Sequence, residues 1–241
     1  MKPISEVTNE DCMVMMSRYP DKFFDLAICD PPYSDPNNEI GREFGGLFDR
    51  YKKDDTSKKI VSRTGGSWAS KYGKKIIDWD IAPSKEYFNE LFRVSKNKII
   101  WGGNYFNLPP TRCFLIWRKP TISENFSMAM AEYAWTSFHD NAKVFEFAPQ
   151  GGKTKRIHPT QKPIELYAWI LKKYAKQGDK ILDTHLGSGS SRIAAYKLGF
   201  DFYACEIDKD YFDAQENRFK MNIFGEIKTP EGKYIQTNLF I

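Results

Sequence analysis

Residues 180–207 read KILDTHLGSGSSRIAAYKLGFDFYACEI. A short apolar strand, Ile181 to Thr184, runs into Gly187 and Gly189, and a helical stretch follows from Ser191 to Leu198. Gly199 stops that helix, and a second apolar strand, Phe202 to Glu206, closes the unit. Strand, glycine turn, helix and strand in this order predict parallel neighbours joined by a right-handed crossover. Glycines at such a turn let a ligand approach the backbone and leave helix N–H groups free to bind it. Glu206, ending the second strand, suits a ribose diol, because a carboxylate accepts two hydroxyl hydrogen bonds. The turn has no Walker lysine and no third glycine at the dinucleotide spacing, which weakens triphosphate and NAD readings.

Outward from this unit the alternation continues. Upstream, Lys153 to Pro163, within GGKTKRIHPTQKP (151–163), is a polar, basic connection, and Pro163 is well placed to open a helix running to Ala175. Downstream, Lys209 to Phe224 reads as a helix that stops at Gly225. In the first half, Glu10 to Arg18 reads as a short helix with Asn9 as its N-cap, Phe23 to Cys29 as a buried strand and Ser84 to Val94 as an amphipathic helix. Lys98–Trp101, Cys113–Trp117 and Tyr133–Phe138 supply further strands. The predicted fold class is α/β: one doubly wound, mostly parallel sheet over residues 1–241, with ligands outside the carboxyl ends of its strands.

Composition agrees with a packed chain: of 241 residues, 41% are hydrophobic and 15% aromatic, too apolar for a disordered protein. No run of eighteen apolar residues predicts a membrane span, and MKPISEVTNEDC at the start has no apolar stretch of signal-peptide type. Cys12, Cys29, Cys113 and Cys205 are far apart with no CxxC spacing. That pattern argues against a zinc site and a disulfide framework; buried thiols in a reducing cytoplasm are expected, and no metal. Net charge is +5, and Ser34 to Lys75 carries ten basic side chains against six acidic ones. Such a segment, 34–75, reads as a long loop facing a polyanion.

One more stretch interrupts a strand with chemistry. At 28–33 the chain reads ICDPPY. Two prolines cannot continue a central strand, since neither has the N–H its ladder needs. ICDPPY near the start, HPTQKP at 158–163 and DTHLGSGSS at 183–191 together resemble the amino-methylating DNA methyltransferases that use S-adenosylmethionine. The catalytic Asp-Pro-Pro-Tyr motif preceding the glycine turn matches the circularly permuted group called β. The resemblance extends to Asp11 after a first strand, to WGGNYF at 101–106 and to Glu206.

The resemblance implies roles. Asp30 and the carbonyl of Pro31 would accept the two hydrogens of a base amino group, with Pro31 and Pro32 stiffening the turn and Tyr33 stacking on an extruded base. Alignment and desolvation would then carry the transfer, without a covalent intermediate. Asp183 and the turn Leu186, Gly187, Ser188, Gly189, Ser190 would lie against the methionine and ribose of the cofactor, Glu206 on the ribose hydroxyls, and Ile207 near the adenine. Asp11 would approach the adenine amino group with Cys12 beside it, and Lys162 would meet the methionine carboxylate, with Thr160 and Gln161 nearby. His185 stands where relatives commonly carry phenylalanine, and either stacks on the cofactor or packs. Asp11 has a plain alternative as a helix-terminal acid, and Trp101 and Tyr105 as core aromatics rather than base clamps.

Asp at the head of the motif is usual for adenine-N6 enzymes and Ser for cytosine-N4 enzymes, so Asp30 favours adenine, with cytosine-N4 the alternative. An RNA methyltransferase or a non-catalytic DNA-binding module fits less well. The interval Pro120–Ile157 is too short for a separate recognition domain, which leaves DNA contacts to Arg42, Lys52, Lys53, Lys58, Lys59 and Arg63 in one loop and to Lys155 and Arg156 in another. Double-stranded DNA is the expected partner, within a restriction–modification setting. A homodimer is a further expectation. In the tail, 226–241, Gln236-Thr237-Asn238-Leu239-Phe240 resembles peptides that bind bacterial sliding clamps, although a terminal strand or docked tail reads as well.

Overall fold

The computed structural model describes residues 2–33, 82–125, 129–149, 156–158, 160–228, 231–232 and 234–236. Its elements in chain order are β1 (Ser5–Thr8), α1 (Cys12–Ser17), β2 (Phe24–Cys29), α2 (Lys85–Val94), β3 (Ser95–Trp101), a 3-10 turn (Gly103–Tyr105), β4 (Phe114–Arg118), β5 (Ala131–Thr136) and β6 (Lys143–Glu146). The second half adds α3 (Ile164–Tyr174), β7 (Lys180–Asp183), α4 (Ser190–Lys197), β8 (Asp201–Cys205), α5 (Lys209–Phe224) and the hairpin strands β9 (Glu226–Lys228) and β10 (Tyr234–Gln236).

Eight strands form one sheet in the order β1-β8-β7-β2-β3-β5-β4-β6. Every neighbouring pair is parallel except those made by β5, which runs antiparallel to both β3 and β4. The mostly parallel, doubly wound sheet expected from the sequence is therefore present, and among the described residues no large separate domain accompanies it. The central strands are apolar on both faces because helices cover both. Leu26, Ile28, Ile99, Trp101, Phe202 and Ala204 pack with α3 and α4. Their alternates Ala27, Cys29, Ile100, Tyr203 and Cys205 pack with Met15, Met16, Tyr87, Leu91 and Val94 from α1 and α2.

Chain direction decides where the site lies. From β7 the chain crosses outward to β8, whereas from β2 it crosses the other way to β3, and β7 and β2 are hydrogen-bonded neighbours. A crevice opens at such a reversal, outside the carboxyl ends of the strands. Asp183 ends β7 and Asp30 follows β2 there, brought side by side from opposite ends of the chain. Because β5 is antiparallel, its first residues, Ala131 and Glu132, also lie at this edge.

Some local expectations are corrected. The first helix begins at Cys12, and its N-cap is Asp11, whose Oδ1 accepts from the Met13 N–H at 2.8 Å. Asn9 instead donates from its side chain to the Glu206 carbonyl at 2.7 Å and the Ile207 carbonyl at 3.1 Å, tying the end of β1 to that of β8. β6, only four residues with two of them charged, has too little apolar pattern to announce itself. β3 starts at Ser95 with no loop after α2, three residues before the expected start at Lys98. The clamp-like peptide begins at Gln236, the last residue of β10, and 237–241 lie outside the described residues.

Candidate active site

The glycine turn is built largely from backbone. Gly187 and Gly189 both have left-handed φ, +52° and +71°, a conformation that costs other residues but not glycine. The Gly187 N–H donates to Glu206 Oε2 at 2.8 Å and the Asp208 N–H to Oε1 at 2.9 Å. Asp183 is buried; it accepts from Ser191 Oγ at 2.6 Å and from the His185 N–H at 3.1 Å. Burial pushes its pKa up to about 7, those hydrogen bonds opposing and the charges of Asp30 and Glu206 adding to the rise. Burial likewise raises Glu206.

Two further side chains hold this turn. Arg218 of α5 donates to the Ser188 carbonyl at 2.6 Å and to Ser190 Oγ at 2.9 Å, and burial draws its pKa down to about 10. His158 packs against Gly187, its ring 3.6 Å from where a Cβ would stand. Its Nδ1 lies 3.2 Å from Thr160 Oγ1, its ring meets Tyr211 edge-on at 4.3 Å, and burial lowers its pKa to about 3. It is a neutral packing histidine. Ser190 Oγ donates to the Lys162 carbonyl at 2.7 Å, which joins the HPTQKP segment to the glycine turn.

The β2 side is built from charged side chains. Lys162 Nζ pairs with Asp30 Oδ2 and lies 3.2 Å from Glu132 Oε2; Glu132 Oε1 in turn pairs with Lys119 Nζ at 2.5 Å. Both lysines are buried, over Trp101 and Trp117 respectively. Burial works against the Lys162 ammonium, but the Asp30 and Glu132 carboxylates outweigh it and raise its pKa. Burial raises Asp30, with Lys162 opposing and Glu132 adding. Neither Glu132 nor Lys119 stands in a recognisable motif, so only their convergence reveals them.

Next to Asp30, Tyr33 stacks face to face on Tyr105, centroids 4.5 Å apart and planes 10° from parallel. Gly102, at φ +67°, passes beneath both rings: a Cβ there would come within 3.1 Å of Tyr33 Cδ1. A Cβ at Gly103 would stand 2.4 Å from that of Trp135. The two glycines of WGGNYF are thus explained by close approach. Trp101 is core, as expected, but Tyr105 is 44% exposed and belongs to the crevice rim. An open groove of about 730 Å³ leads away from this stack past Phe88, Phe106 and Asn104.

On the far side, Asp11 caps α1 and is exposed; Cys12 beside it is raised to about 11 by burial and by the Asp11 charge. His185 meets Tyr87 edge-on at 5.3 Å, and burial lowers its pKa to about 4, so it is neutral. Ile207 stands 61% exposed beside Glu206. Asp11, Cys12, Glu206, Ile207, Asp183, His185 and Asp30 thus occupy one edge of the sheet. Of the expected DNA contacts, Arg42, Lys52, Lys53, Lys58, Lys59, Arg63 and Lys155 lie outside the described residues, and Arg156 is partly buried. Among the described residues no three His, Cys, Asp or Glu side chains are placed to hold a metal, and no helix is long and apolar enough to cross a membrane.

Residues 116–217, from β4 to within α5, match the N6/N4 DNA methylase family. Over 244 residues the chain is 23% identical to the type II methyltransferase M2.DpnII of Streptococcus pneumoniae, covering 89% of each protein. It is also 23% identical to the type II methyltransferase M2.MboI of Moraxella bovis, over 87% of this chain and 85% of that one. The fold is shared with the solved M1.HpyAVI–SAM complex (TM-score 0.51, 17% identity, 88% of this chain and 98% of that one) and with the cytosine-N4-specific PvuII DNA methyltransferase (TM-score 0.56, 11% identity, 89% and 86%). The class follows: a DNA methyltransferase on a Rossmann-like methyltransferase fold. Within that class the chain is homologous to the type II enzymes just named and shares the N6/N4 DNA methylase segment.

Proposed function

We propose that this protein methylates the N6 amino group of an adenine extruded from duplex DNA, with S-adenosylmethionine as donor and the Asp30–Tyr33 motif as the base site. One observation carries the reading: Asp30 and the glycine turn, about 150 residues apart in sequence, are neighbours at the β2/β7 reversal. The edge residues fit the donor. Its sulfonium and ammonium groups are cationic, and Asp30, Asp183, Glu206 and Asp11 make this edge acidic. The uncovered apolar face of Ile207 beside Glu206 suits an adenine next to a ribose. Gly187 and Gly189 keep Cβ atoms off the turn between them.

When bound, the donor supplies an electrophilic methyl group on a positively charged sulfur. The protein's task is to aim a poor nucleophile, because the amino lone pair is delocalised into the ring. Asp30 and the Pro31 carbonyl accept one amino hydrogen each, which favours a pyramidal nitrogen with its lone pair turned toward β7. Pro32 stiffens the turn, and Tyr33 offers a stacking face. Methylation makes the amino group acidic, so Asp30 need not be a strong base to take its proton. Asp11, Cys12, Asp183, His185, Leu186, Ser188, Ser190, Glu206 and Ile207 are assigned to the donor side; Lys162, expected at the donor's carboxylate, has its ammonium on Asp30 and Glu132 and belongs to the base side.

The reading treats 1–241 as one catalytic domain of the β order, with DNA phosphates met by the basic segments 34–75 and 150–156. A second copy of the chain, and a sliding clamp at Gln236–Phe240, are supported by the sequence resemblance alone. The test is incubation of duplex DNA with labelled donor, followed by nucleoside analysis. Label in N6-methyladenine is expected; label only in N4-methylcytosine overturns the base assignment.

A further inference from the structure

Lys162 is an awkward neighbour for a catalytic carboxylate. An ammonium on Asp30 Oδ2 takes part of that oxygen's acceptor capacity and draws charge from the carboxylate, which weakens its hold on amino hydrogens, and an unpaired buried ammonium is strongly penalised. The structure holds the means for it to leave. Glu132 Oε2 is already 3.2 Å from Lys162 Nζ, so a rotation of the lysine end suffices, with no backbone change. The Trp101 ring lies 5.2 Å from Nζ and keeps attracting the cation on either carboxylate. Glu132 is itself fixed by Lys119, which is buried over Trp117 and holds Oε1 while Oε2 faces Lys162.

We propose that Lys162 switches partners, capping Asp30 in the base-free protein and retiring onto Glu132 when the target amino group arrives, and that Glu132 and Lys119 are the positioning residues that make this exchange cheap. The inference rests on the reading of Asp30 as the amino acceptor. It accounts for an acid at the second residue of β5, the one strand among the described residues whose beginning reaches this edge. It also accounts for two buried lysines in a site that must bind a cationic donor.

The charged and titratable groups facing Asp30 are Lys162, Glu132, Lys119, Asp183 and Tyr167, with Cys29 preceding it. Among them Glu132 and Lys119 act in opposite senses: the Glu132 charge raises the Asp30 pKa and the Lys119 charge lowers it. Removing Glu132 leaves Lys162 wholly to Asp30, so the capped state deepens. Removing Lys119 frees Glu132 to draw Lys162 away.

Carbon-13 NMR titration of the Asp30 carboxyl in the cofactor-free protein, assigned with Asp30→Asn, reads this directly. Glu132→Gln should move the Asp30 titration down by about one pH unit and Lys119→Met should move it up by about half a unit. Fixed charges alone give these two signs, so the exchange is judged by the shifts together with turnover. In methyl transfer, Glu132→Gln should lower kcat about thirtyfold, with donor affinity within about twofold of wild type. Shifts of the same sign, no shift in either variant, or an unchanged kcat overturns the proposal. If the wild-type protein methylates no DNA amino group, the functional reading fails and the exchange with it, whereas the NMR shifts still judge the charge coupling of Asp30 to Glu132 and Lys119. If it methylates adenine but both shifts are absent, the exchange fails and the functional reading stands.

Discussion

The two halves of the crevice are made differently. The β7 half is a backbone device: left-handed glycines, amide donors on Glu206 and a carbonyl held by Arg218. All of that comes from residues 183–218, one helix-sized step after another along the chain. The β2 half is a side-chain device in which Asp30, Tyr105, Lys119, Glu132 and Lys162 arrive from five separate segments. A backbone cradle is preset by turn geometry and tolerates many side chains around it. A cluster of buried charges works only when all members are present, because each one left unpaired is costly. The donor half should therefore bend under substitution, whereas the base half should break.

The sharpest way to separate them is Asp30→Ala. Methyl transfer should fall by about a thousandfold or more while donor affinity, measured by calorimetry, changes less than about threefold. Loss of both together would mean that the halves are not separable.

Asp183→Asn probes the other side. Asp183 has a folded pKa of about 7, raised above its unfolded value of about 4 by burial. The folded protein thus binds more protons than the unfolded chain between these values, and this group's contribution to stability falls as pH rises through that window. The cofactor-free protein should melt higher at pH 5 than at pH 8 by this contribution, and Asp183→Asn should flatten the difference. Donor affinity in that variant should drop about tenfold at pH 8, where the lost charge matters most. A melting profile unchanged by the substitution would show that Asp183 is not strained in the empty site.

Gly102→Ala tests how tightly the base side is packed. The added Cβ meets Tyr33 at 3.1 Å in a left-handed backbone, a strain of about 1–2 kcal/mol. Turnover should fall about tenfold with donor affinity unchanged. The smallest effect is expected at Tyr105. Its ring stacks on Tyr33 and is 44% exposed, so Tyr105→Ala should raise KM for DNA about fivefold and Tyr105→Phe should leave it near wild type. A larger loss in Tyr105→Phe would point to the hydroxyl rather than the stacking face.

The legible parts of the molecule were those encoded by short-range pattern. DTHLGSGSS declares its turn because glycine at a strand end followed by a helix has few other uses, and ICDPPY declares a strand end because proline cannot stay in a ladder. Pattern alone puts the N-cap two residues early because Asn9 and Asp11 are both good caps, and only the contact between Asn9 and the end of β8 separates them. Tyr105 could not be told from a core aromatic, since a single ring in a glycine-rich turn has no periodicity to show which way it faces.

By itself the sequence determined the kind of sheet, the two motifs at its edge and the chemistry they resemble, since alternating apolar runs, glycines and prolines act through neighbours along the chain. Tertiary structure alone decided that Lys162 lies on Asp30, that Glu132 and Lys119 stand behind it, and that His158 packs against Gly187. These depend on strand order and on the reversed direction of β5, and electrostatic interaction follows distance in space, which residue spacing along the chain does not record.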